Sequence, residues 1–152
     1  MSRWGIGPAF TISSLLYGGV VIAFARSYAP GWRLAFIPET VTTLGGSILT
    51  VAGLVLFTAA VVPLSRAYKH GTLETGGAYA YVRHPIYGAF ICLIVPGIVI
   101  VTRSVPALSV PIFMYLVFHR LIRAEEQYLE EKFGEEYLEY RRRVGALLPK
   151  IF

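Results

Sequence analysis

The sequence predicts an all-α fold, a polytopic membrane helical bundle of about four to five transmembrane helices with a cytosolic amphipathic C-terminal tail. Three observations carry this expectation. The 152 residues are 55% hydrophobic and only 15% charged, too apolar for an ordinary soluble domain. Apolar spans recur along the chain, each near the length that crosses a bilayer as a helix. The basic residues fall unevenly between those spans, as they do when a chain inserts with one preferred orientation.

The first span covers about residues 8–25 and the second about 41–64. An early Arg3 precedes the first span, as in a signal peptide. No small-residue cleavage site stands before Arg26, so the span is read as a retained helix. A polar loop of about residues 65–83 follows. Residues 86–101 and 105–122 then form a helical hairpin, divided by Thr102-Arg103-Ser104. The third span is short and holds Pro96, so it is expected to tilt, kink or thin the bilayer. Four crossings leave the N-terminus, the polar loop and the tail on one side. That side carries eleven Lys and Arg, against Arg26, Arg33 and Arg103 on the other. Both termini and the loop are therefore expected in the cytoplasm. The net charge of +5 reads as this bias, helped by anionic lipid, and not as a nucleic-acid footprint.

The tail has a helical phase. From Phe118, the residues Leu121, Ile122, Leu129 and Phe133 form one apolar stripe, and Glu125 stands inside it. A carboxylate there must protonate, snorkel or meet a positive partner, because an unpaired buried charge is costly. Glu126 falls on another face and is read as a surface ion pair with Arg123, three residues earlier. Gly134 is expected to cap this helix. A second helix should run over Glu135–Arg143, with Tyr137, Tyr140 and Val144 on its apolar side.

Several chemistries are excluded. The chain has no Asp, which removes aspartate-rich magnesium motifs and aspartyl nucleophiles. His70, His84 and His119 lack HExxH spacing and are too few for a histidine-rich di-metal site. Gly5-Ile6-Gly7 follows no strand, so it is not a nucleotide-binding fingerprint. A lone Cys92 allows no intramolecular disulfide. The chain reads as a single domain over residues 1–152, and nothing in it sets an oligomeric state.

What remains is the segment Tyr81-Val82-Arg83-His84-Pro85-Ile86-Tyr87-Gly88, polar residues gathered where the chain enters the membrane. "LETGGAYAYVRHPIYGAF", followed some forty positions later by "EEQYLEEKFGEEYLEYRRRVGALLP", resembles the isoprenylcysteine carboxyl methyltransferase family and its phospholipid methyltransferase relatives. The resemblance covers roughly residues 65–152. Residues 1–64 supply only N-terminal helices. It implies a membrane-embedded helical enzyme using S-adenosyl-L-methionine in a cytosol-facing pocket, with a lipid-like or prenylated acceptor entering from the bilayer. Carried over by position, the cofactor contacts are Thr72, Leu73, Glu74, Tyr79, His84, Pro85, Ile86, Tyr87 and Glu125. The family also holds the substrate carboxylate with an arginine, whose position here is Leu121. Arg120 or Arg123 is then expected to take that role.

The chemistry suits these residue types. The methyl donor is a sulfonium that also carries an ammonium and a carboxylate. Tyr79 and Tyr87 offer aromatic faces to the sulfonium. Glu125 can meet the ammonium or the ribose hydroxyls, and His84 the carboxylate or the adenine. Pro85 opens a helix without needing a backbone donor, and Gly88 allows close approach. Arg83 is read as a snorkelling topology anchor. A carboxylate acceptor needs no base, only a cationic clamp. An amine acceptor must first lose a proton, for which Glu126 or Glu125 are the candidate bases. The alternatives are a phospholipid amine N-methyltransferase, an NADPH-dependent enzyme like the sterol reductases, and a non-enzymatic membrane adaptor.

Overall fold

The computed structural model describes residues 6–150. Arg3 and Gly5, used in the reading above, lie outside the described residues. Four helices are long and apolar enough to cross a membrane: Gly7–Tyr28, Glu39–His70, Pro85–Thr102 and Pro106–Phe133. Among the described residues no strand forms, and the chain is an all-α, multi-pass membrane bundle.

Helix α1 is Gly7–Tyr28, and Pro8 opens it in a first turn that needs no N–H. Helix α2, Glu39–His70, has 32 residues and would be about 48 Å long at 1.5 Å per residue. It therefore outruns the hydrocarbon core of about 30 Å. The expected polar loop starts later than residue 65 for this reason. Ser65 to His70 are mostly polar but contain no helix breaker, so the helix continues until Gly71 adopts φ 69.

The third crossing is assembled from α3 (Pro85–Gly88), a π-helical stretch (Ala89–Ile94) and α4 (Val95–Thr102). Pro96 lacks an N–H and its ring crowds the carbonyl four residues back. The helix answers by widening just before it. Helix α5 runs Ser109–Phe133, and Gly134 at φ 56 turns the chain into α6, Glu135–Arg143, the bounds expected from its phase.

Packing is uneven. α2 lies close against α4 because glycines remove side chains at the crossing. A Cβ on Gly97 would collide with Thr50 and with the Gly46 carbonyl. Gly88, expected to permit such an approach, would meet only ordinary contacts. α1 packs on α5, where Tyr17 and Phe113 stack at 4.0 Å and the Tyr17 hydroxyl donates to Ser109 Oγ at 3.1 Å. Between α1 and α2 a large apolar space is left.

At the α6 end the chain closes on itself. After α6, the backbone runs beside residues 82–84, with Arg83 N–H donating to the Gly145 carbonyl (2.7 Å) and His84 N–H to Ala146 (3.0 Å). Phe10, Ile91, Met114, Phe118 and Ile122 form the main buried cluster. Tyr137, Tyr140 and Val144 form a second, covered by Leu73, Leu129 and Phe133.

Candidate active site

Pro85 starts α3 with its side chain fully buried, which fixes His84 just before the helix and Tyr87 one turn into it. α5 passes alongside and presents Glu125 and Glu126. The Tyr87 hydroxyl donates to Glu125 Oε2 at 3.1 Å, and the Ile6 N–H donates to the same oxygen at 3.3 Å. His84 is buried between the two glutamates. Its Nε2 shares a hydrogen bond with Glu126 Oε1 at 3.3 Å, and its Nδ1 faces Glu125 Oε1 at 3.7 Å. Phe118 and Phe10 close the aromatic wall, with ring centroids 5.5 and 5.2 Å from Tyr87.

The neighbouring glutamates do different work. Glu126 pairs with Arg83 at 2.5 Å and meets Arg141 Nε at 3.7 Å. Arg83 also donates to the carbonyls of Val144 and Arg141. Two sequence readings are corrected here. Arg83 is not a snorkelling anchor but a buried clamp, its side chain 9% exposed. Glu126 is not paired with Arg123 on the surface. α5 turns its side chain inward, where it meets Arg83, 43 residues earlier in the chain, and Arg141 of the docked tail.

Glu125 makes no ion pair with Lys or Arg among the described residues; its near cationic candidate is His84. It lines a cavity of about 1950 Å³ that runs along α1 and α2. The walls are mostly apolar, Val21 and Ile22 from α1, Phe57 and Val61 from α2, and Phe90 and Ile94 from the third crossing. Thr72, Leu73, Glu74, Tyr79, His84, Ile86 and Tyr87 line the same cavity. Of the cofactor contacts expected from sequence, only Pro85 does not reach it, because it packs underneath. The Glu74 carboxylate accepts from the Gly76 N–H at 2.8 Å, which shapes the loop. Burial, aided by Tyr140 and by the charges of Glu74 and Glu125, pushes the Tyr79 phenol well above its ordinary range.

Arg120 and Arg123 are exposed and do not line the cavity. At the α6 end its lining cations are Arg83 and Lys132. Lys132 lies two turns beyond Glu125 on the same face of α5, over the rings of Phe133 (4.9 Å) and Tyr68 (5.8 Å). The sequence reading missed Lys132, although its spacing of seven from Glu125 is a helical-face signal. It also missed Tyr137 and Tyr140 as cavity residues, because tyrosines at helical spacing look like packing alone.

The profile of the Isoprenylcysteine carboxyl methyltransferase (ICMT) family matches residues 46–131, more than half of the chain. The chain belongs to this family. Among its relatives, protein-S-isoprenylcysteine O-methyltransferase B of Arabidopsis thaliana is 28% identical over 94% of this chain and 73% of its own length. The protein-S-isoprenylcysteine O-methyltransferase of Homo sapiens is 31% identical over 76% of this chain, which spans 45% of that protein. The cobalt-zinc-cadmium resistance protein CzcN of Cupriavidus metallidurans is 30% identical over 97% of this chain and 62% of its own length. No solved structure matches. The ICMT-family span contains α2 from Gly46 onward, the "RHP" segment and Glu125, whereas α1 and α6 stand outside it.

Proposed function

We propose that this chain is a membrane carboxyl methyltransferase that uses S-adenosyl-L-methionine and acts on a prenylated or similarly lipid-like carboxylate. One observation carries the reading. Glu125 presents a carboxylate to an apolar cavity with no Lys or Arg partner among the described residues, framed by Tyr87 and Phe10. The Tyr87 hydroxyl and the Ile6 N–H donate to it and His84 faces it, but none of these is a permanent cation, so a cationic ligand entering the cavity is favoured. S-adenosyl-L-methionine is such a cation, and when bound it supplies an electrophilic methyl group. The residues fit it: Glu125 meets the ammonium or ribose hydroxyls, Tyr79 and Tyr87 offer aromatic faces, and Leu73 and Ile86 wall the site. Thr72 and Glu74 stand at the loop rim, while Pro85 holds His84 and Tyr87 in register.

The acceptor follows from what remains. Glu126 is held by Arg83 and His84 and does not line the cavity, so it is not free to act as a base. A carboxylate nucleophile needs none, so the geometry favours O-methylation over methylation of an amine. The carboxylate would need a cation near the methyl, and Lys132 is the lining cation at this end that has no acidic partner among the described residues. Arg120 and Arg123, expected from sequence, could take this part only by reaching in from the exposed side of α5. The apolar walls between α1 and α2 suit a prenyl or acyl chain, and relatives that bear the name isoprenylcysteine O-methyltransferase support that choice. Positioning in a water-poor site then does most of the catalytic work. The site is read as cytoplasmic, where the methyl donor is supplied.

The test is thermal. S-adenosylhomocysteine should raise the melting temperature of the detergent-solubilised protein, since a ligand of the folded state stabilises it by mass action. NADPH should not. Stabilisation by NADPH alone would replace this reading with a reductase.

A further inference from the structure

Gly134 folds α6 back onto the loop that precedes His84, and the turn buries two tyrosines one helical turn apart. Their hydroxyls are treated differently. The Tyr140 hydroxyl donates to the Tyr79 carbonyl at 2.7 Å. The Tyr137 side chain is 0% exposed, and among the described residues its hydroxyl has no acceptor for its proton. Glu126 and Arg141 act on it through space, and the Arg83 guanidinium stands near enough to donate to the phenol oxygen, which leaves the phenol's own proton without an acceptor. Arg83, however, directs its N–H groups to Glu126 and to the carbonyls of Val144 and Arg141. An inaccessible phenol without an acceptor is rare, because leaving it so forfeits the hydrogen bond it had to water.

Tyr137 is also a wall of the cavity, beside Leu73 and Tyr79. Burial, with the nearby Glu126 charge, pushes its ionisation far upward, so it stays a proton donor at any working pH. Packing alone accounts for a phenylalanine here but not for the hydroxyl. Resting on the methyl-donor reading above, we propose that Tyr137 is a ligand-binding residue whose hydroxyl donates a hydrogen bond to an oxygen of the bound methyl donor. Two oxygens qualify, the amino-acid carboxylate and a ribose hydroxyl. α6 is then more than a structural cap, since it completes the site from beyond the family-matched span.

The experiment compares the parent protein with Tyr137→Phe and Tyr140→Phe, purified in detergent. Binding of S-adenosylhomocysteine and of methylthioadenosine, which lacks the amino-acid part, is titrated calorimetrically. Melting temperatures are recorded without ligand. Tyr137→Phe should keep or raise the ligand-free melting temperature, because it removes an unsatisfied group. It should weaken S-adenosylhomocysteine about tenfold. Weakening of that ligand alone assigns the carboxylate, and weakening of both assigns the ribose. Tyr140→Phe should instead melt earlier, by about 2–4 °C, because it loses a made hydrogen bond. Unchanged ligand affinity in Tyr137→Phe overturns the proposal, as does a ligand-free melting loss equal to that of Tyr140→Phe. If the parent itself binds neither ligand, the methyl-donor reading fails and this assignment goes with it.

Discussion

Glu125 and Glu126 are adjacent in the chain and opposite in role, because α5 sends them to different neighbours. Glu126 is buried with Arg83 and His84, so it belongs to the structure. Glu126→Gln should leave Arg83 without its charge partner and lower stability by about 3 kcal/mol, read as a drop in melting temperature. Glu125→Gln should leave stability nearly unchanged and weaken S-adenosylhomocysteine at least tenfold. Equal melting losses in the two variants would refute this division. Lys132 gives a kinetic contrast. Lys132→Ala should raise the KM for a prenylcysteine carboxylate about tenfold or more while cofactor affinity holds. Arg120→Ala and Arg123→Ala should stay near the parent. A large loss in either arginine variant, with Lys132→Ala silent, would return the clamp to the arginines.

At the scale of elements, α6 and the loop before His84 stand or fall together. Their contact is built on tyrosines whose ionisation burial opposes; burial pushes Tyr140 up to about 12, and Tyr79 and Tyr137 are shifted the same way. The folded chain therefore holds these protons longer than the unfolded chain, where a tyrosine titrates near 10. Their contribution is complete below pH about 10 and is lost as pH rises from there through 12. The slope approaches about 1.4 kcal/mol per pH unit for each tyrosine. Melting curves between pH 8 and 12, followed with tyrosinate absorbance, should show stability falling in that window. Three tyrosines ionising near pH 10 with no loss of stability would contradict the buried packing. The third crossing shows a different local rule. Its π-helical stretch precedes Pro96, and it lies over α2, where Gly46, Gly53 and Gly97 let the backbones meet.

For the whole molecule, splaying α1 from α2 produces both the apolar cavity and the exposed apolar helix faces. Those faces carry Leu15, Leu16 and Val20 on α1 and Leu44, Ile48 and Val51 on α2, which suit lipid contact. Topology follows from the parity of four crossings, which puts the start of α1 and all of α6 at one end. With ten of the described basic residues at that end against three at the other, reporter fusions should place the C-terminus in the cytoplasm. An external C-terminus would overturn the proposed cytoplasmic placement of the site.

The membrane class, the four crossings and the α6 bounds were legible in the chain because each rests on local information. Hydropathy and period depend only on near neighbours, and Gly134 stops a helix wherever it is placed. The motif residues Tyr79, His84, Tyr87 and Glu125 line one cavity, and a motif could single them out because it is a pattern read along the chain. Pairing was not legible. Whether Arg83 snorkels or clamps depends on a tail 61 residues later bringing the Val144 carbonyl to it. Whether Glu126 is surface or core depends on that same docking. Arg120 and Arg123 carry the right charge at the right interval, yet the rotation of α5 turns them outward and leaves Lys132 on the cavity face. Charge and spacing are properties of one helix, whereas a partner is a property of two. Only the packing of α5 and α6 against the "RHP" segment decides which side chains meet.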